Sequence, residues 1–227
     1  MDERLTRGSL LRLAGLAAAG IGLGATEAET ASGGPGAVSS GLVSCVLTPE
    51  MTEGPFYLPN EKMRRNITEG RPGLPLLLRL GVVDVSTCKP IKGAAVDIWH
   101  ADAGGLYSGE ASNNTVGKTF MRGIQRTNAS GLAIFDTVYP GWYMGRTVHI
   151  HVKVHIGGNV VHTGQLFFRD SFTNAVYRRS PYRSRPGRDT TNATDSIYRN
   201  GGSKSLLDVR KRGTGYVGTI TMGVHRS

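Results

Sequence analysis

The residues best suited to chemistry lie in the run TVHIHVKVHI, residues 147–156. Side chains alternate along an extended strand, so Val148, Ile150, Val152, Val154 and Ile156 share one face, and His149, His151, Lys153 and His155 share the other. The apolar face is the core face. His149 and His151 then project together, a spacing suited to two neighbouring ligands of one metal ion. Just upstream, YPGWYMGRT places Tyr143 on a Pro-Gly turn and Arg146 three residues before His149. Farther upstream, DIWHADAGGLYSG leaves a strand at Trp99 and presents Tyr107 in a glycine-rich loop. Phenolate is a hard, anionic donor. Two phenolates with two imidazoles favour a hard trivalent ion, iron(III) above all, over zinc or iron(II).

On its own the H-x-H pair also fits a zinc or iron(II) β-barrel completed by a carboxylate, but neither Glu110 nor Asp170 stands in a motif that would supply one. Each tyrosine by itself could be an ordinary half-buried aromatic with a bonded hydroxyl. The other histidines are set aside. His155 lies roughly 13 Å beyond His151 at about 3.3 Å per residue, too far for the same ion; the face taken by His100 cannot be read, and His162 belongs to no motif.

The elements that must hold these side chains are short strands. The strongest signals run over Leu76–Val85, Ala94–Trp99, Thr119–Arg126, Leu132–Thr137, Val148–Ile156, Val161–Phe168 and Tyr216–Val224, separated by turn formers such as Cys88-Lys89-Pro90, Asn128–Gly131 and Gly157-Gly158-Asn159. No convincing amphipathic helix interrupts them. An all-β sandwich of short, mostly antiparallel strands with long loops at the site is the expected fold.

The segments LTPEMTEGPFYLP, GAAVDIWHADAGGLYSG, FMRGIQRTNASGLAIFDTVYPGWYMGRTVHIHVKV and TGQLFF, in this order, resemble the intradiol ring-cleavage dioxygenases. The likeness is strong from residue 47 to about residue 170 and closest to the secreted, single-domain branch. It implies iron(III) held by Tyr107, Tyr143, His149 and His151, with Tyr143 the ligand that gives way to substrate. It also implies active-site roles for Arg146, suited to stabilise developing negative charge, and for Gln165, which could hydrogen-bond the migrating or anhydride oxygen. Its substrates would be a small aromatic diol and O2, the ring opening between the two hydroxylated carbons to a cis,cis-muconate-type product. Oligomeric state and the preferred catechol are not specified by these motifs.

Two other classes remain: an inactive β-sandwich that binds aromatic or polymeric ligands, which the intact ligand set disfavours, and a nucleic-acid module, which only charge supports. The net charge is +10, and most of the excess falls between Arg178 and Arg212, where ten Lys or Arg face three Asp. That stretch lacks aromatic interleaving or a helical basic stripe, so it reads as a solvated basic loop, and no nucleic-acid partner is expected.

Residues 1–28 read as an export signal, 29–45 as a flexible linker and 46–227 as the catalytic domain. The uncharged run Leu13–Ala25 is shorter than the roughly 20 apolar residues of a membrane span. TRGSLLRLAG is similar to a twin-arginine signal with Gly8 in place of the second arginine. In an oxidising compartment Cys45 and Cys88 could form a disulfide tying the N-terminal arm to the loop after the first long strand; two free thiols is the alternative.

Overall fold

The computed structural model describes residues 45–59 and 62–226. The expected export signal and nearly all of the linker therefore lie outside the described residues. Eight strands form two four-stranded sheets: β1 (Pro75–Asp84), β2 (Ala95–Trp99), β3 (Arg122–Arg126), β4 (Leu132–Val138), β5 (His149–Ile156), β6 (Asn159–Phe167), β7 (Asp208–Arg212) and β8 (Gly215–Val224). The first sheet has the order β4-β1-β8-β7 and the second β3-β2-β5-β6. Of the pairs these eight strands make, only β1–β8 is parallel. This is the β-sandwich expected from the strand pattern.

Alternation puts Leu76, Leu78, Leu80 and Val82 of β1 into the core against Val96 and Ile98 of β2 and Ile150, Val152 and Val154 of β5. The two sheets interdigitate these apolar rows, which is what a sandwich core requires. The site lies on the other face of the second sheet. There the register aligns Trp99, His151 and Gln165 across β2, β5 and β6, with His149 beside Phe167.

Two features differ from the expectation. An eighth strand, β7, pairs with β8, and two short helices, α1 (Asp170–Val176) and α2 (Ser196–Arg199), fall in and beside the basic stretch read as loop. β7 is an edge strand reading DVRKR, so its charge hides its extended conformation. The second is more consequential, because the segment around α2 is a wall of the site.

Among the described residues no helix is long and apolar enough to cross a membrane. Cys45 and Cys88 are bridged, with Cα atoms 5.5 Å apart, so of the two alternatives for the cysteines the structure holds the disulfide.

Candidate metal centre

The histidine face of β5 is not open to solvent. The arm of residues 45–59 runs first beside β8 of the other sheet and then over this face. Thr48 N donates to Gly223 O at 3.0 Å and Met51 N to Thr163 O at 2.9 Å; Glu50 binds His162 Nδ1 at 2.6 Å, and Glu53 forms an ion pair with Lys153. Phe56 then stacks on Tyr107 at 4.3 Å between ring centroids, and Tyr57 packs on Trp99 at 4.8 Å. Gly54 has φ +72°, and a Cβ there would sit 3.2 Å from His151 Cε1. A side chain at this position would be both strained and crowded.

Tyr107 reaches the same place from the long β2–β3 loop. Asp102 shapes that loop by accepting Gly104 N at 2.8 Å and Leu106 N at 3.0 Å, while its other oxygen pairs with Arg71. Arg122, fully buried, donates to Ser108 Oγ at 2.8 Å, Ser108 O at 2.7 Å and Phe56 O at 2.7 Å. One guanidinium thus fixes both the tyrosine loop and the arm. The turn carrying Tyr143 docks on this loop through Gly141, whose N donates to Asp102 O at 2.8 Å. A Cβ there would fall within 2.6 Å of three backbone atoms, so only glycine permits the approach.

The four expected ligands converge. His149 Nε2 lies 3.0 Å from His151 Nε2 and 3.2 Å from Tyr143 Oη; the Tyr107 ring is 5.5 Å from Tyr143 and 6.2 Å from His151, centroid to centroid. Three of them are deeply buried and Tyr143 is half-buried, on the accessible side. His149 Nδ1 lies 2.7 Å from Thr147 O. A carbonyl only accepts, so Nδ1 carries the proton and Nε2 presents its lone pair to the site, as a metal-ligating histidine requires. Trp99 stacks on His151 with rings 5° from parallel, fixing that imidazole's plane.

Burial, reinforced by Arg146, pushes His149 down to about 3; burial and the His149 ring push His151 well below its usual value. Both imidazoles are therefore neutral donors. Burial raises both phenols, with the Tyr143 phenol adding to the effect on Tyr107 and Arg146 opposing it at Tyr143. Neither phenol gives up its proton to solvent near neutral pH; a bound cation would have to stabilise the phenolates.

This arrangement fits a small, hard, highly charged cation. Two nitrogens about 2.1 Å from one ion and about a right angle apart are separated by about 3.0 Å, the spacing of the two Nε2 atoms. The single His149 Nε2 lone pair faces Tyr143 Oη, His151 Nε2 and, at 3.5 Å, Arg146 Nη1, while the buried Tyr107 hydroxyl has no hydrogen-bond partner among the described residues. One lone pair cannot serve three neighbours, and an orphaned buried hydroxyl is costly. A cation bound by all four donors resolves both conflicts. Among the described residues no three His, Cys, Asp or Glu side chains form a metal-binding group. Asp170, a carboxylate the zinc or iron(II) alternative needed, is occupied by Arg188 at 2.8 Å and Asn192 N at 3.0 Å.

Arg146 and Gln165 adjoin the four expected ligands as a linked pair. Arg146 Nη2 donates to Gln165 Oε1 at 2.5 Å, and Gln165 Nε2 donates to Thr52 O at 2.9 Å. Both ends of the glutamine amide are engaged, so it holds the arginine and the arm together. The excluded histidines have other duties. His100 is fully buried between Ala101 O at 2.7 Å and Thr137 Oγ1 at 2.8 Å, His162 is tied to Glu50, and His155 lies past a bulge at Val154/His155.

Comparison with known proteins agrees with this geometry. A family model described as Dioxygenase matches residues 52–151. An intradiol ring-cleavage dioxygenase from Tetranychus urticae superposes with a TM-score of 0.75 at 38% identity, over 80% of this chain and 96% of that one. The chain belongs to the intradiol ring-cleavage dioxygenases. The dioxygenase domain of a dioxygenase carbohydrate-binding protein fusion from Streptomyces sp. SirexAA-E is 33% identical, with a TM-score of 0.63 over 80% of this chain and all of that one. Catechol 1,2-dioxygenase 1 of Acinetobacter lwoffii is 30% identical over 101 residues. The match takes in 42% of this chain but only 32% of that longer relative.

Proposed function

We propose that the protein is an iron(III) dioxygenase that opens catechol-type rings between the two hydroxylated carbons, placing both atoms of O2 in a cis,cis-muconate-type product. The observation that carries this reading is the convergence of two phenols and two neutral imidazoles on one point, with a pinned arginine beside them. Tyr107, Tyr143, His149 and His151 would hold the ion. When bound, iron(III) supplies Lewis acidity that favours a diol in its deprotonated form.

The protein's own groups have separable roles. Tyr143, half-buried on a turn, is placed to leave as a phenolate and to take up a proton released by the incoming diol. Arg146 stays charged and donates in a fixed plane, so it stabilises negative charge developing on oxygen during cleavage. Gln165 braces that arginine and ties it to the arm. The apolar walls of Phe56 and Trp99 fix the ring planes of Tyr107 and His151. Export, as read from residues 1–28, agrees with the Cys45–Cys88 disulfide.

The test is to load the purified protein with iron, record its visible spectrum, and follow O2 uptake and product mass across a panel of catechols. A burgundy protein that adds one O2 per diol is expected, since phenolate-to-iron(III) charge transfer absorbs visible light. A colourless, fully iron-loaded protein, or one that opens no ring in the panel, overturns the reading.

A further inference from the structure

We infer that Asp195 is a positioning residue of the active site, and that it makes the basic C-terminal segment part of the catalytic apparatus. Its carboxylate is 1% exposed and makes four hydrogen bonds. Oδ2 accepts Arg146 Nε and Thr147 N, both at 2.8 Å. Oδ1 caps α2 by accepting Ile197 N at 2.8 Å and Tyr198 N at 2.9 Å. A guanidinium on a flexible stem has many orientations. Here Asp195 fixes its Nε edge and Gln165 takes Nη2, which leaves Nη1 directed at the metal-facing nitrogen of His149.

The surrounding bonds show that this segment is built onto the ligand turn. Thr147 Oγ1 donates to Asn192 Oδ1 at 2.7 Å, Asn192 Nδ2 donates to Phe168 O at 2.8 Å, and Gly145 N donates to Asp189 Oδ2 at 3.1 Å. Residues 189–195 therefore clasp the turn that carries Tyr143 and Arg146. Because Asn192 also holds the Thr147 side chain, losing the Asp195 charge frees Arg146 and the Thr147 N–H while one tie to the turn leading to His149 remains.

The assignment rests on the catalytic role given to Arg146 above, and its test separates the two. Asp195→Asn keeps an oxygen for the α2 cap but turns an NH2 group toward Arg146 Nε; Asp195→Ser keeps a cap and is too short to reach the arginine. Both should retain iron and colour, while kcat/KM falls roughly 10- to 100-fold, the range for partners that orient a metal site's functional groups. In an Arg146→Ala background, Asp195→Asn should cost nothing further, as required if it acts through the arginine. The Arg146 Nε–H signal, read by NMR in metal-free or gallium-loaded protein, should be sharp and protected in wild type and lost in both variants. That readout stands even if no catechol is cleaved. Wild-type kcat/KM in both variants, additive losses in the double variant, or an unchanged Nε–H signal would overturn the inference.

Discussion

At the scale of single residues, the four donors are distinguished by burial more than by type. Tyr107 is 1% exposed and stacked under Phe56, whereas Tyr143 stands on a turn whose neighbour Met144 is 81% exposed. Tyr107→Phe or His151→Gln should therefore abolish most iron retention, measured by metal analysis after dialysis. Tyr143→Phe should keep part of the iron and lose turnover. Arg146→Ala should leave iron and resting colour intact and lower kcat and kcat/KM together, by roughly 100-fold if it resembles removal of an oxyanion donor. Lysine should rescue only partly, because a point charge lacks the planar fork. Loss of iron in proportion to activity would instead place Arg146 in the scaffold. These residues were legible in sequence because tyrosine, histidine and arginine carry distinctive chemistry in ordered motifs. Asp195 was not, since it lies 49 residues from its arginine in a stretch whose composition suggests bare surface. For Gln165, nothing in TGQLFF announces that its amide also ties Arg146 to the arm.

At the scale of elements, the arm of residues 45–59 turns a polar strand face into a buried site. The alternation in β5 sorted core from site correctly, yet His149, His151 and Lys153 are all buried on the face away from the core. What covers them is LTPEMTEGPFYLP, which has no periodicity from which its path could be read. Its last contacts are aromatic: Phe56 meets Tyr107 face to face and Tyr143 edge-on at 5.9 Å. Phe56→Ala should cost about 2 kcal/mol, below the usual core value because the ring is only half-buried. It should also loosen Tyr107, broadening the charge-transfer band and speeding iron loss to a chelator. Unchanged stability and unchanged chelation kinetics would show that the arm merely lies over a site already rigid without it.

At the scale of the whole molecule, two devices outside the sandwich core set the stability of the fold. The Cys45–Cys88 bridge, 43 residues apart in sequence, anchors the arm at its start; the chain-entropy account gives roughly 4 kcal/mol for a loop of that size. Reduction should lower the melting temperature and weaken iron retention together, because the freed arm is the lid of the histidine face. The second device is burial of neutral histidine. His100 is fully buried, and desolvation outweighs its bond to Ala101 O, so its pKa falls from 6.5 to about 4. An unfolded histidine takes up its proton near 6.5, whereas the folded one resists until about 4. Between those values the unfolded chain binds more protons. Stability is therefore intact above 6.5 and drains away as pH falls toward 4, by on the order of 3 kcal/mol from this residue. In metal-free protein His149 adds a loss of the same sign, its folded pKa lying at about 3. Bound iron competes with protons for His149 but not for His100. Denaturant unfolding across this window should give a steep slope for metal-free protein and a steeper one when iron is loaded, because unfolding then also returns protons to the two phenolates, and His100→Gln should reduce the slope in both. A flat profile in metal-free protein would mean that these imidazoles are not held neutral in the folded state.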